Sequence, residues 1–213
     1  MSRVLNVLIA CEESGTVRRE FRALGHSAWS CDLVPCSDGA KLFHIQGDAV
    51  EAIRKGRPTD GAKWDLIIAH PPCTRITNTG VQWLKRRNLW SDLEEACRLF
   101  KAMLDVGAAS ATENPIPHKY ALALIGRKYD QLIQPWMFGH METKATCLWL
   151  NGLPKLVPTS NLKKETMALP EKVRGRLHHL PPSADRAKLR SITYPGIAKA
   201  MASQWSAHIL NQS

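Results

Sequence analysis

A chain of 213 residues with 44% hydrophobic content is long enough to bury one substantial core, and no stretch approaches the ~18 apolar residues of a membrane span. The start lacks an apolar signal region, and the six cysteines lack paired Cys-x-x-Cys spacings. Those features argue against a secretory leader, a disulfide framework and a zinc site, and point to a cytoplasmic protein with reduced thiols. A net charge of +10 suits a polyanionic partner, because neutralised phosphates release counterions and drive association.

From the amino terminus, residues 4–10 form an apolar run that fits a buried strand. The run leads into Cys11-Glu12-Glu13-Ser14-Gly15-Thr16 and then a segment with helical spacing at Val17, Phe21 and Leu24. Gly25 is a natural stop for that helix, and residues 26–31 read as a second strand finishing at Asp32. An acid at that point is placed to accept hydrogen bonds from ribose hydroxyls; a turn-forming aspartate is the plain alternative. Gly47-Asp48-Ala49 introduces a short helix through Ile53, with Asp48 available as its N-cap.

The chain centres on Asp65-Leu66-Ile67-Ile68-Ala69-His70-Pro71-Pro72-Cys73-Thr74. Residues 65–69 read as a buried parallel strand, which the two prolines forbid from continuing. The strand therefore presents Cys73 at its carboxyl end, where open α/β sheets bind ligands. An inert buried cysteine is the competing reading. His70-x-x-Cys73 offers two metal ligands but has no second pair.

Residues 74–80 are a polar loop rich in Thr and Asn. Lys85-Arg86-Arg87 follows, flanked by Trp83 and Trp90, a mixture of cations and stacking surfaces suited to nucleic acid. A solvated helix face with the tryptophans turned into the core is the alternative. Ser91-Asp92-Leu93-Glu94 has capping-box spacing and opens a helix with Leu93, Cys97, Phe100 and Leu104 on its apolar face. Residues 108–112 predict a small-residue strand that delivers Glu113-Asn114-Pro115 as a polar tip. Residues 132–138 and 146–150 read as two late strands around Gly139. Residues 154–190, rich in Lys, Arg and Pro, are expected to be an irregular basic segment, and Pro195-Gly196 starts a closing amphipathic helix through Met201, Trp205 and Ile209.

A thiol and a carboxylate on the rims of neighbouring strands suit covalent catalysis on a ring that a cofactor then alkylates. A pyrimidine is inert at C5 until a nucleophile adds at C6. Cys73 is the candidate nucleophile, with a cation such as Arg75 or backbone dipoles to favour its thiolate. Glu113, hydrogen-bonded to the ring N3 and exocyclic amine, would stabilise the charge that addition places on the ring.

In these two motifs the sequence resembles the DNA (cytosine-5) methyltransferase family, in a short form like those among phage and prophage sequences. The family's Pro-Pro-Cys is matched by Pro71-Pro72-Cys73-Thr74 and its Glu-Asn-Val by Glu113-Asn114-Pro115. The resemblance implies a Rossmann-like fold, a mostly parallel central sheet with helices on both faces, and S-adenosylmethionine as cofactor. It implies catalytic roles for Cys73 and Glu113. Glu12, Ser14, Gly15, Asp32, Asp48 and Pro72 fall at the cofactor, with Asp32 on the ribose hydroxyls and Asp48 on the adenine. Thr74, Arg75, Asn114 and Lys144 fall about the substrate cytosine, with Lys144 in place of the family's Gln-x-Arg-x-Arg cations. Lys85, Arg86 and Arg87 are the expected DNA contacts, in the cytoplasm of a bacterial or phage-infected cell.

The family's Phe-x-Gly-x-Gly-Gly cofactor loop is here Ala10-Cys11-Glu12-Glu13-Ser14-Gly15. The chain is expected to be one methyltransferase-like domain over 1–213, with 154–190 standing where typical members carry a large target-recognition domain. That leaves target recognition to phosphate contacts or to a partner protein. A member that binds nucleic acid without methylating it, or one that acts on free nucleotides or transfers a modified group, is the alternative reading. Amino-methyltransferases carry an aromatic after Pro-Pro where this chain has Cys73, and zinc deaminases need a cysteine where it has Ile76.

Overall fold

The computed structural model describes residues 3–212. The apolar runs at residues 7–10, 66–69 and 146–150 are buried throughout, as strands in the middle of a covered sheet must be. The chain begins with β1 (Asn6–Ala10), α1 (Thr16–Ala23), β2 (Ser27–Asp32), β3 (His44–Gln46), α2 (Ala49–Lys55) and β4 (Leu66–Ala69). It continues through α3 (Val81–Arg86), α4 (Trp90–Leu104), β5 (Ala109–Pro115), α5 (Lys119–Ile125), β6 (Gln131–Ile133) and β7 (Thr146–Asn151). Four helices close it, α6 (Lys163–Ala168), α7 (Glu171–Arg174), α8 (Arg186–Ser191) and α9 (Pro195–Asn211).

The seven strands form one sheet in the order β3-β2-β1-β4-β5-β7-β6. The first five in that order are parallel, and β7 runs antiparallel to both β5 and β6. Val17 and Phe21 of α1 pack with Ile197, Met201 and Trp205 of α9 against one face of the sheet. Ala49 and Ala52 of α2 and Met103 of α4 cover the other face, joined towards β7 by Phe100 of α4 and Ile125 of α5. This is the Rossmann-like α/β arrangement expected from the sequence. The chain turns outward from β1 to β2 and β3, then returns to β4, so the switch point lies between β1 and β4.

Several local expectations are corrected. Glu113-Asn114-Pro115 is not a tip beyond the strand: β5 runs through all three, because β7 pairs with it from Ser110 to Pro115. The capping box at Ser91 is not used, since α4 starts one residue earlier with Leu89 at its N-cap and no side-chain cap. Residues 132–138 divide between β6 and a single turn of tight helix at Pro135–Phe138, which Pro135 favours at its first position. The 154–190 segment carries three short helices, α6, α7 and the start of α8. It places Leu156 and Leu177 in the α1/α9 core, and its last helix folds back to the carboxyl edge of the sheet.

Candidate active site

Register brings the chemistry to one edge. Cys31, Ala10, Ala69 and Thr112 form one row across β2, β1, β4 and β5, so the next residues, Asp32, Cys11, His70 and Glu113, form a row just beyond it. Side chains alternate along a strand, which separates neighbours. Glu113 therefore faces the α1/α9 side, whereas Asn114 is fully buried on the opposite side, with its amide donating to the Pro115 carbonyl.

His70 Nδ1 and Glu113 Oε2 lie 2.8 Å apart, both side chains nearly buried. Burial pushes the Glu113 carboxyl up, but the His70 hydrogen bond and the charge of Lys144 outweigh it, so it lies below the usual carboxylate range. Cys73 sits on the turn after β4, half-buried, its carbonyl accepting from the Ile76 and Thr77 amides at 3.0 Å. Burial and then the Glu113 charge push its thiol up, while Lys144 and Arg190 oppose them. The cations facing Cys73 are thus Lys144 and Arg190. Arg75, expected to activate it, instead donates to Asp92 on α4 at 3.1 Å. Lys144 is held by its own bond, Nζ donating to the Arg190 carbonyl at 2.8 Å.

At the switch point lies a cavity of about 190 Å³, lined by Cys11, Glu12, Glu13, Ser14, Asp32, His70, Pro72, Ser191 and Thr193. Glu12 is buried, and its carboxylate accepts from the Val17 amide at 2.7 Å and the Arg18 amide at 3.4 Å. Burial pushes that carboxyl up, against the charge of His70 and the bonds from those two amides. In dinucleotide folds the first amides of this helix face a phosphate; here Glu12 fills the position. Gly15 adopts a left-handed conformation, and a Cβ on it would meet the Asp38 carboxylate and the Arg18 guanidinium. Two atoms on cavity-lining residues, Glu13 Oε1 and His70 Nε2, are buried without a hydrogen-bond partner.

Asp32 stands at the cavity wall, its carboxylate accepting only a 3.2 Å turn bond from the Val34 amide. Asp48 is exposed and N-caps α2, accepting from the Glu51 amide at 2.7 Å. Pro72 lines the cavity, and Thr74 is exposed on the turn beyond it. Lys85, Arg86 and Arg87 are exposed at the end of α3, beyond the cavity wall. Sequence reasoning missed His70, as partner of Glu113, and the 190–193 stretch. The first carried a signal, since it follows directly on a buried strand run; the second did not, because its place depends on the path of α8. No cluster able to hold a metal ion occurs among the described residues, and no helix among them is long and apolar enough to cross a membrane.

Strand order and an edge site at the switch point define a Rossmann-like α/β protein. No family model matches the chain, and no curated protein does. Among solved structures, the Entamoeba histolytica methyltransferase EhMeth is 13% identical, with a TM-score of 0.46, over 75% of this chain and 58% of that one. WbdD, solved with a kinase inhibitor, is 15% identical, with a TM-score of 0.37, over 69% of this chain and 36% of that one. The chain spans less than two thirds of either.

Proposed function

We propose that the protein transfers a methyl group from S-adenosylmethionine to C5 of cytosine in DNA. The observation that carries this reading is the placement of Cys73 and the His70–Glu113 pair at the carboxyl ends of adjacent parallel strands, beside the cavity at the switch point.

The cavity residues fit that cofactor. Glu12 occupying the first turn of α1 leaves no place for a phosphate, and S-adenosylmethionine has none. Glu13 and Asp32 offer carboxylates to its ammonium and sulfonium charges and its ribose hydroxyls, and the unpartnered Glu13 Oε1 and His70 Nε2 await polar groups. When bound, the cofactor supplies an electrophilic methyl group.

The protein's own groups handle the ring. Glu113 accepts from the exocyclic amine, and the proton held between His70 and Glu113 is the one offered to N3. The Cys73 thiol gives its proton to water and its sulfur bonds to C6, which moves an electron pair towards C5. After C5 is alkylated its proton passes to water, the pair it leaves re-forms the ring double bond, and the sulfur–C6 bond breaks with its electrons returning to the thiolate. Because burial and Glu113 hold the free thiol protonated, its ionisation belongs to the substrate-bound state, with Lys144 and Arg190 as the stabilising charges. The net charge of +10 suits the DNA polyanion.

The test is mass spectrometry of nucleosides from DNA incubated with protein and cofactor. The expected product is 5-methylcytosine, lost in Cys73→Ser. A methylated exocyclic amine, or product formed by the serine variant, would overturn the reading.

A further inference from the structure

Of the seven tryptophans, Trp64, Trp149 and Trp205 are buried in the cores, whereas Trp83 and Trp90 are each 38% exposed. These two flank the Lys85-Arg86-Arg87 run on either side of the turn between α3 and α4. Arg87 lies 4.5 Å and Arg86 5.8 Å from the Trp83 ring centroid. Trp90 packs edge-on to Tyr120 at 5.3 Å; Tyr120 is itself 42% exposed, and Lys119 Nζ is 5.1 Å from its ring.

This surface is tied to the Cys73 turn. Tyr120 adjoins His118 at 6.0 Å, His118 Nε2 bonds the Arg75 carbonyl at 2.8 Å, and Arg75 pairs with Asp92 on α4. Three large aromatics left half in solvent beside four exposed cations are not explained by packing, since the cores accommodate other tryptophans fully. The acids of the same region are Asp92, already paired with Arg75, and the exposed Glu94 and Glu95. Ring faces interleaved with cations match unstacked bases on a phosphodiester backbone; inside a duplex the bases are stacked on each other and closed to such rings.

We infer that Trp83, Trp90 and Tyr120 form a stacking platform that holds single-stranded DNA beside the Cys73 turn. The choice of DNA as the polymer rests on the proposed function. The platform reads unpaired bases, and Lys85, Arg86, Arg87 and Lys119 read the phosphates.

The test is fluorescence anisotropy of the full-length protein, without cofactor, on labelled strands of about twelve nucleotides, a length within the range of known single-strand sites. Three probes are compared at one salt concentration: a single strand, its duplex, and an abasic strand with the same phosphates and no bases. The intact single strand should bind at least about ten-fold tighter than the other two. Trp90→Ala with Tyr120→Ala should remove most of the gap to the abasic level while leaving abasic binding unchanged, and Trp90→Phe with Tyr120 intact should keep most of it. Equal binding of intact and abasic strands by the wild type, or tighter binding of the duplex, would overturn the platform. Since the assay contains no cofactor and reads no methyl transfer, failure here leaves the proposed reaction standing, and failure of the nucleoside analysis leaves the platform standing.

Discussion

His70 Nδ1 joins Glu113 Oε2 at 2.8 Å across the ends of β4 and β5, so the turn that carries Cys73 is tied by a side chain to the carboxylate opposite it. The pair exists because His70 and Glu113 each follow directly on a matched residue of the β4–β5 ladder, Ala69 and Thr112. His70 thus holds the carboxylate in its ionised form against burial.

Replacing His70 by Leu removes a bond that lowers the Glu113 carboxyl while leaving its burial in place. The Glu113 pKa should therefore rise, as read by carbon-detected NMR titration of labelled glutamate. An unchanged titration would show that Lys144 alone sets it.

The charges about Cys73 predict two variants of opposite sign. Glu113→Gln removes a negative neighbour, which should lower the thiol pKa and speed alkylation by iodoacetamide several-fold at fixed pH. Lys144→Met removes a positive one and should slow it several-fold. Mass mapping identifies the labelled cysteine, and rates that move in the same direction would contradict the assignment.

If Asp32 accepts the ribose hydroxyls, Asp32→Ala should weaken S-adenosylmethionine binding by about 1–3 kcal/mol, the cost of leaving a hydrogen-bonding group unpaired. Calorimetry reads the affinity, and an unchanged melting temperature shows that the fold is intact. Unaltered affinity would assign Asp32 to its turn bond with Val34 alone.

Gly196, in the first turn of α9, donates its amide to His140 Nε2 at 3.0 Å, and a Cβ there would collide with the Phe138 carbonyl oxygen. Gly196→Ala should therefore destabilise the protein by about 1–3 kcal/mol in urea unfolding, as overpacking does, although alanine is the better helix former. A neutral or stabilising outcome would mean that this turn yields freely.

Arg18 is a fully buried cation that pairs with Asp38 and donates to Ser30 Oγ at 2.7 Å, pinning the loop after β2 onto α1. Arg18→Met should cost about 1–3 kcal/mol, because it leaves Ser30 and the nearly buried Asp38 carboxylate without their buried partner, the exposed Arg19 and the Ala40 amide still holding Asp38. Burial raises the Asp38 carboxyl, and Arg18, with the Ala40 amide and Arg19, more than reverses this, leaving it below the ordinary 3.8. A carboxyl lowered by folding contributes stability that is complete above the unfolded value and lost as pH falls through the folded one. Wild type should therefore lose this increment only below about pH 4, and Arg18→Met should show a smaller acid loss.

The sheet was legible because its central strands are apolar runs ended by punctuation: Cys11 after Ala10, and Pro71-Pro72 after Ala69. The position of Cys73 on the turn after β4 was legible for the same reason, because two prolines end that run. The extent of β5 was not, because Glu113-Asn114-Pro115 becomes strand only through its antiparallel partner β7, more than thirty residues later. Helix α3 was legible only as an alternative, because a six-residue helix that buries Leu84 alone leaves no apolar stripe to read. The neighbours of the thiol were misassigned from sequence proximity. Arg75, two positions away, is drawn to Asp92; Lys144, expected about the substrate, does face the thiol from just before β7, and Arg190 joins it through the return of α8, which no periodicity announces.

The continuation of β5 past the β4 ladder gives Glu113 and Cys73 unequal compliance. Glu113 is fixed in register opposite Leu148, so its backbone moves only with the sheet. Cys73 rides on a turn, beyond two prolines, that is bounded by Gly80, where a Cβ would strike the Thr74 carbonyl. In the proposed reaction the carboxylate would be a stationary reference against which a base is aligned, and the sulfur the part with travel. A covalent bond forming at C6 would then draw the thiol towards the ring while the grip on the opposite edge of the base stays where the sheet set it.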